Sequence, residues 1–318
     1  MSTTTSISTT YAGEASGKYI STAVLSAPTL EKGLVTIKPN IKYKEVVKKL
    51  TQGSLLKDGT CDFDATGTIT LTERILEPKE LQVNNQLCKK DFRSDWDAIS
   101  MGYSAFDNLP PTFADFLVAN HVAKVAADFE FSIWRGVKTN SGQFDGFTTL
   151  LALDPALPTA NEIAGTTVDA ANVIAELGKI VDAIPATLYG KEDMTLFVSQ
   201  NIYKAYIRAL GGFGASGLGG SGTAAQGTQW YSMGSGLMFD GVKLEMTNGL
   251  ANNTAVAAQT ENLWFGTGLL NDTNEVKVID MADIDGSQNV RIVMRMTGGV
   301  QYGNVEEIVT YGIVNSAN

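Results

Sequence analysis

The stretch TFADFLVANHVAKVAADFEFSIWRG, residues 112–136, is the strongest helix pattern in the sequence and decides its fold class. Pro110 and Pro111 precede it, Thr112 can cap a helix, and Gly136 can end one. Its apolar residues form two stripes at helical spacing: Val118, Val122, Val125, Phe129 and Ile133, and Phe116, Ala119, Ala123, Ala127 and Trp134. Two stripes predict a helix that is contacted on more than one side. Such a helix would be about 37 Å long, well above the mean.

Two runs of alternating apolar and polar residues precede this helix. Their apolar positions are Ile69, Leu71 and Ile75 in the first run, and Leu81, Val83 and Leu87 in the second. Pro78 lies between the runs, so the pattern predicts a long β-hairpin over residues 54–90. An isolated strand pair that is apolar on one face is not stable in water. We therefore expect the hairpin to lie on its own domain or on another chain.

The second half of the sequence predicts a compact β/α subdomain followed by more strands. A helix is predicted at residues 167–184, a strand at 194–199 and another helix at 202–210. The Gly/Ser/Ala-rich tract GGFGASGLGGSGTAAQG follows at 211–227. Strand-like runs then recur at 241–246, 262–265, 275–280, 290–297 and 306–314. Together with the long helix, these elements predict an α+β protein.

Charge is unevenly distributed along the chain. The net charge is −10 and the pI about 4.7, which disfavours nucleic-acid binding as the function. Residues 1–50, however, carry seven Lys and three Glu, a net +4, and the remainder carries −14. Two prolines and scattered apolar residues indicate that this basic segment is an extended arm. We expect the arm to dock on the acidic body of another copy.

The predicted contacts with a neighbouring copy come from the arm and from the hairpin. In the arm, apolar Leu30, Leu34, Val35 and Ile37 would be buried on the neighbour, and its lysines would provide electrostatic attraction. The predicted contact residues are Leu30, Leu34, Ile37, Lys42, Lys44, Lys48, Lys49, Phe63, Ile69 and Leu71.

No pattern in the sequence predicts catalysis, a cofactor or a metal. His121 is the single histidine and lies within the long helix, where we interpret it as a polar residue at a packing seam. Gly212, Gly214 and Gly217 match G-x-G-x-x-G, but a helix is predicted before them where a dinucleotide site needs a strand. The ten residues MSTTTSISTT do not have a signal-peptide pattern, and two cysteines do not make a disulfide framework, so we expect a reducing cytoplasm.

Three stretches resemble the major capsid proteins of tailed bacteriophages, whose fold is shared with the herpesvirus capsid floor and encapsulins. They are TERILEPKELQVNNQLCKKDFRSDW (72–96), LPPTFADFL (109–117) and GGVQYGNVEEIVTYG (298–312). The order of the predicted parts is also similar to this family. The resemblance implies an N-terminal arm (1–50), an extended hairpin loop (51–95), a peripheral domain with the long helix as its spine (96–159), an axial α/β domain (160–275) and return strands of the peripheral domain (276–318).

The resemblance also implies a function. Hexamers and pentamers of the chain would self-assemble into an icosahedral shell, and the chain would not be an enzyme. The shell would enclose double-stranded DNA without sequence-specific binding, and would not associate with a membrane. A separate scaffolding protein, a portal and decoration proteins are the expected partners, and the expected location is the virion capsid, assembled in the host cytoplasm. The alternatives are an encapsulin-type compartment, a tail-tube or neck protein, and a nucleotide-binding enzyme that uses the Gly-rich tract near Gly212.

Overall fold

The computed structural model describes residues 28–52, 69–88, 111–211, 237–268 and 276–317, with positions 56, 58, 59 and 67 besides. Its helices are α1 (Pro28–Glu31), α2 (Pro111–Arg135), α3 (Phe147–Leu151), α4 (Val173–Asp182), α5 (Gln200–Gly211) and α6 (Ala282–Asp285). Its strands are β1 (Thr36–Lys38), β2 (Glu45–Gln52), β3 (Ile69–Leu76), β4 (Lys79–Cys88), β5 (Glu162–Ile163), β6 (Met194–Val198), β7 (Leu237–Phe239), β8 (Val242–Met246), β9 (Ala255–Gln259), β10 (Leu263–Gly266), β11 (Val276–Asp280), β12 (Asn289–Tyr302) and β13 (Val309–Tyr311).

The strands form two large sheets and one two-stranded ribbon. The first sheet has the order β1-β10-β12-β11, and β4 pairs with β12 as its fifth strand. The second sheet has the order β5-β13-β9-β6-β8-β7. The ribbon is β2 paired with β3. Among the described residues, no helix is long and apolar enough to cross a membrane.

The long helix predicted from the sequence is α2, which packs on the first sheet. Along β12, buried Val290, Ile292 and Met294 alternate with exposed Arg291 and Arg295, as expected for a strand covered on one face. The covering element is α2, since the Asn85 amide on β4 lies 2.8 Å from Nε2 of His121 on the helix. This contact confirms the interpretation of His121 as a polar residue at a packing seam.

The second sheet carries its own core, built as the sequence predicted around a strand and two helices. Every residue of β6 is buried, and the apolar faces of α4 and α5 pack against the sheet. The predicted strand at 194–199 and helix at 202–210 are confirmed, but the helix predicted to begin at residue 167 begins at Val173. The Asp169 carboxylate accepts hydrogen bonds from the amides of Ala171 and Asn172, and this local turn replaces the first helical turn.

The two cores meet at the C-terminal end of α2. The indole ring of Trp134 is fully buried, and its centroid lies 5.4 Å from that of Phe147 and 5.2 Å from that of Phe197. Directly after the helix, the Gly146 amide donates to the Gly136 carbonyl at 2.9 Å. A Cβ atom at Gly146 would lie 2.6 Å from a backbone oxygen of α2, so a side chain there would force the chain off the helix end.

The predicted hairpin of 54–90 is wrong in its pairing. β3 pairs with β2 over eight positions, whereas β4 pairs with β12 over ten, from Asn289↔Cys88 to Gly298↔Lys79. Alternation identifies a half-buried strand but carries no information about its partner. The strand that does pair with β3 begins at Glu45, inside the segment predicted to be the arm. The Gly-rich tract of residues 212–227 and Phe63 lie outside the described residues.

Candidate intersubunit surface

The ribbon of β2 and β3 is the candidate contact site, because one of its faces is attached to the body of the chain and the other is apolar and exposed. Its register runs antiparallel from Glu45↔Leu76 to Gln52↔Ile69. Eight residues per strand correspond to a length of about 26 Å. Directly opposite residues in antiparallel strands share a face, so the register divides the ribbon into an outer and an inner face.

The outer face of the ribbon is an open apolar surface. It is formed by Val46, Ile69, Leu71 and Ile75, with Lys48 opposite Glu73 between them. The exposed fractions of the four apolar residues lie between 46% and 61%. A stripe of aligned, half-exposed branched side chains on a two-stranded ribbon is typical of a surface that another chain covers.

The inner face is fastened to the body of the same chain through Arg74. Its guanidinium nitrogen lies 2.6 Å from the Asp154 carboxylate and its carbon 4.6 Å from the ring centroid of Tyr302. The Tyr302 hydroxyl donates to the same carboxylate at 2.8 Å. The three side chains therefore form one network between the ribbon, β12 and the segment after α3.

Electrostatics in this network favours the ionised carboxylate. Burial by itself would raise the pKa of Asp154, but hydrogen bonds from the Ala156 amide, Tyr302 and Arg74, with the charge of Arg74, outweigh it and hold the pKa below its usual value. Burial, followed by the hydrogen bond to Asp154, raises the pKa of the Tyr302 hydroxyl. Tyr302 thus stays protonated at physiological pH and remains a hydrogen-bond donor to the Asp154 carboxylate.

Lys49 makes a second attachment further along the inner face. Its ammonium donates to Oδ1 of Asn304 at 2.5 Å and lies 3.2 Å from the Glu306 carboxylate. The side-chain amide of Gln301 also donates to the Ile75 carbonyl at 3.1 Å. The ribbon is thus held by polar contacts on its inner face, while its apolar outer face stays open.

The apolar residues of the predicted arm lie mostly in the core of their own chain. Leu34 and Val35 are each 3% exposed and pack in the cluster around Trp134, and Leu30 is partly buried against the same cluster. Ile37 lies on β1, which pairs in parallel with β10. The prediction that Leu34 and Val35 are buried on a neighbour is wrong, because their side chains have no free surface; apolar spacing cannot tell an intrachain from an interchain core.

The predicted lysines divide into two groups. Lys44 lies 3.4 Å from Glu77, and Lys49 lies 3.2 Å from Glu306, so both make ion pairs within their own chain. The hydrogen bond with Glu77 is the largest cause that raises the pKa of Lys44. Lys42 and Lys48 are exposed. Of the predicted contact residues, Ile69 and Leu71 lie together on the outer face with Lys48, and they remain predictions as interface residues.

A buried carboxylate that binds one of the first described residues, Thr29, was not predicted from the sequence. Glu130 on α2 is 1% exposed and accepts hydrogen bonds from the Thr29 hydroxyl at 2.6 Å and the Thr29 amide at 3.2 Å. The Trp134 indole N–H donates to the same hydroxyl at 2.9 Å. Burial raises the pKa of Glu130 despite these hydrogen bonds. An acidic residue one turn before a tryptophan of the apolar stripe was the available sequence signal.

The part of the chain that the structure describes contains no cluster of three or more His, Cys, Asp or Glu side chains that could hold a metal ion.

Comparison with solved structures identifies the fold. The capsid of the native GTA particle is similar over 92% of this chain and 91% of that chain, at 15% identity and a TM-score of 0.59. The capsid structure of the cyanophage P-SCSP1u covers 95% of this chain and 91% of its own, at 13% identity and a TM-score of 0.56. A structure from Mycobacterium phage Adephagia is similar over 91% and 90%, at 11% identity and a TM-score of 0.57.

The chain has the α+β fold of phage major capsid proteins, which confirms the fold predicted from its sequence. No protein-family model matches the sequence, and no curated protein sequence is similar to it. The similarity of fold therefore rests on three-dimensional structure, because the sequences are only 11–15% identical.

Proposed function

We propose that many copies of this chain self-assemble into an icosahedral capsid shell that encloses a double-stranded DNA genome. The observation that carries the proposal is the ribbon, whose inner face is attached to its own body while its outer face leaves four apolar side chains about half exposed. Exposed apolar surface of this kind costs free energy in water unless another copy covers it. Permanent contacts of this class usually bury over about 2,000 Å².

Closed symmetry follows from an identical contact repeated between copies. A ribbon that lies on the next subunit makes a heterologous contact, which closes into a ring when the rotation between copies allows it. Hexamers and pentamers built in this way are the units of an icosahedral shell. The chain is acidic, with a net charge of −10, so it would enclose DNA without sequence-specific binding.

The partners and the location are part of the same proposal. We infer a separate scaffolding protein, a portal and decoration proteins, and a place in the virion capsid after assembly in the host cytoplasm. A satellite phage P4 procapsid that is similar to this chain includes a size determination protein, which illustrates assembly with an accessory factor. We also propose the division of the chain into an arm, an extended loop, a peripheral domain and an axial domain, which the resemblance to capsid proteins implies.

The rival functions have less support. The structures compared above are capsids, which favours a structural role over the encapsulin-type compartment and over an enzyme. The Gly-rich tract near Gly212, on which the nucleotide-binding alternative depends, lies outside the described residues.

Negative-stain electron microscopy of the purified chain tests the proposal. We expect closed shells from the wild-type chain and small soluble oligomers from Leu71→Glu, since a carboxylate on the outer face would have to be buried without a partner. Thr70→Glu is the matched control, because the neighbouring residue faces the other side of the same strand. It should form shells.

Two outcomes would separate the function from the site. Open tubes or stable monomers from the wild-type chain would overturn the shell-building function. Normal shells from Leu71→Glu would leave the function standing but remove the outer face of the ribbon as the contact.

A further inference from the structure

One face of the first sheet concentrates positive charge on an acidic chain. The register defines this face, since Val293 on β12 lies opposite Lys277 of β11 on one side and Asn84 of β4 on the other. Directly opposite residues, and alternate residues along a strand, share a face. The polar residues at its centre, here called the cationic face, are Lys277, Arg291, Arg295, Gln82, Asn84 and Gln86.

The cationic face is open to solvent. All six of its side chains are exposed, whereas the residues that alternate with them on β12 are buried on the opposite face, beneath α2. Nε of Arg291 donates to Oε1 of Gln86 at 3.0 Å, so the neighbouring strand orients this guanidinium. Arg295 and Gln82 line an open cleft of about 550 Å³. The two positions between the polar residues, Ile279 and Val293, are aliphatic.

Carboxylates mark the two ends of this face. Glu80, two positions before Gln82, lines the same cleft as Arg295. Asp285 lies near Arg291: hydrogen bonds from Ser287 are the largest cause that lowers its pKa, and the charge of Arg291 contributes. Between these ends, the three cations extend over about 13 Å along β12 and about 10 Å across the strands.

We propose that the cationic face binds the phosphate backbone of duplex DNA without reading its sequence. Arginine, lysine, asparagine and glutamine side chains are the groups that contact phosphate oxygens in protein–DNA complexes. A duplex carries one negative charge per about 1.7 Å of its axis, so a face about 13 Å long meets several phosphates. The positions of this face include no aromatic side chain on which the bases of a single strand would stack.

Local charge explains how an acidic chain can lie against DNA. The net charge of −10 repels a polyanion at long range, but charges beyond a Debye length of about 8 Å are largely screened at physiological ionic strength. At contact distance the three cations therefore dominate. The inference rests on the proposed function, because a shell around DNA presents one surface of every copy to the genome. It assigns that surface to the side of the first sheet opposite α2.

The salt dependence of DNA binding tests the proposal. Fluorescence anisotropy of a short labelled duplex is measured with full-length chains, isolated before assembly by gel filtration. Three phosphate contacts predict that the logarithm of the binding constant falls with the logarithm of salt concentration with a slope of about −2.7. The double variant Arg291→Gln with Arg295→Gln should change this slope to about −0.9 and weaken binding about tenfold or more at low salt.

A double variant on α5 is the matched control. Lys204 and Arg208 are exposed on that helix, and Lys204→Gln with Arg208→Gln changes the net charge by the same amount. It should keep the wild-type slope. Equal slopes and affinities for the two double variants would show that DNA does not bind to the cationic face. No measurable binding by the wild-type chain at low salt would overturn the proposal as well.

Polyglutamate as a competitor distinguishes DNA from an acidic protein partner. We expect unlabelled duplex to displace the labelled DNA at a charge concentration at least about tenfold lower than polyglutamate, because DNA has the higher charge density. Polyglutamate that competes as well as duplex would overturn the proposal and assign the face to an acidic segment of another chain. Microscopy keeps the two hypotheses apart. Shells should still form from Arg291→Gln with Arg295→Gln, and a wild-type chain that builds no shells leaves the salt slope measurable.

Discussion

Replacement of Arg74 by Met should destabilise the attachment of the ribbon while keeping most of the side-chain length. The substitution removes one ion pair with Asp154 and one cation–π contact with Tyr302. The side chains of Arg74 and Asp154 are only 25% and 10% exposed, so solvent screens the pair weakly. A hydrogen bond between charged groups contributes about 1.5–3 kcal/mol and a cation–π contact about 0.5–2 kcal/mol. Because the two are not independent, we expect a loss of about 2–4 kcal/mol.

The assay is chemical denaturation of Arg74→Met, Asp154→Asn and the double variant at several pH values. All are built on Leu71→Glu, so that assembly does not add to the measured stability. The double-mutant cycle isolates the coupling between Arg74 and Asp154. The pKa of Asp154 is lowered in the folded chain, so the stabilisation is present above the ordinary value of 3.8 and is lost as the pH falls through the folded-state pKa.

The coupling should therefore be large at pH 7 and small in strong acid. A coupling below about 0.5 kcal/mol at pH 7 would refute the reasoning, since that is the range of an exposed surface pair. Microscopy of Arg74→Met without the Leu71→Glu substitution adds the functional result. We expect irregular or fewer shells, because the ribbon loses its fixed angle to the body.

Three further predictions concern the body of the chain. Burial raises the pKa of Glu130, so the contribution of its carboxyl group to stability falls as the pH rises from about 4.5. Relative to Glu130→Gln, the wild-type chain should therefore become less stable over this range, as urea titrations of both from pH 4.5 to 7 can measure. Gly146→Ala should lower the melting temperature, because the added Cβ would lie 2.6 Å from a backbone oxygen. Gly178→Ala is the control: its Cβ would have no atom within 4 Å, and alanine should stabilise the helix by about 0.5–1 kcal/mol. Tyr311→Phe removes a 2.9 Å hydrogen bond to the buried Glu176 carboxylate and should cost about 1–3 kcal/mol in denaturant titrations; an unchanged midpoint would show that water replaces the hydroxyl.

Local periodicity was sufficient for most elements of the fold. The apolar stripes of 112–136 predicted α2 almost to the residue, and strict alternation predicted the part of β12 from 290 to 297. Each pattern lies within one continuous segment, so all of the residues that form it are near neighbours in the sequence. A short buried strand such as β9, AVAAQ, lacks alternation because both of its faces are covered, and it was missed.

The candidate site was predictable only in part. Ile69 and Leu71 were recognised as an apolar face in need of a partner, and the structure leaves them exposed beside Lys48. Arg74, Asp154 and Tyr302 were not recognised, because they lie up to 228 positions apart and no local pattern relates them. Their role follows from the tertiary packing, which places the Asp154 carboxylate between the Arg74 guanidinium and the Tyr302 hydroxyl.

The sequence by itself determined the fold class, the long helix, the alternation of its strands and the acidic body with a basic N-terminal segment. Those properties depend on residues close together in the chain or on composition. Only the tertiary structure decided that β3 pairs with β2, that β4 belongs to β12, and that Leu34 and Val35 are in the core of their own subunit. Strand partners and core membership are choices among surfaces of similar hydrophobicity, and the free energy that distinguishes them comes from the packing of the whole chain.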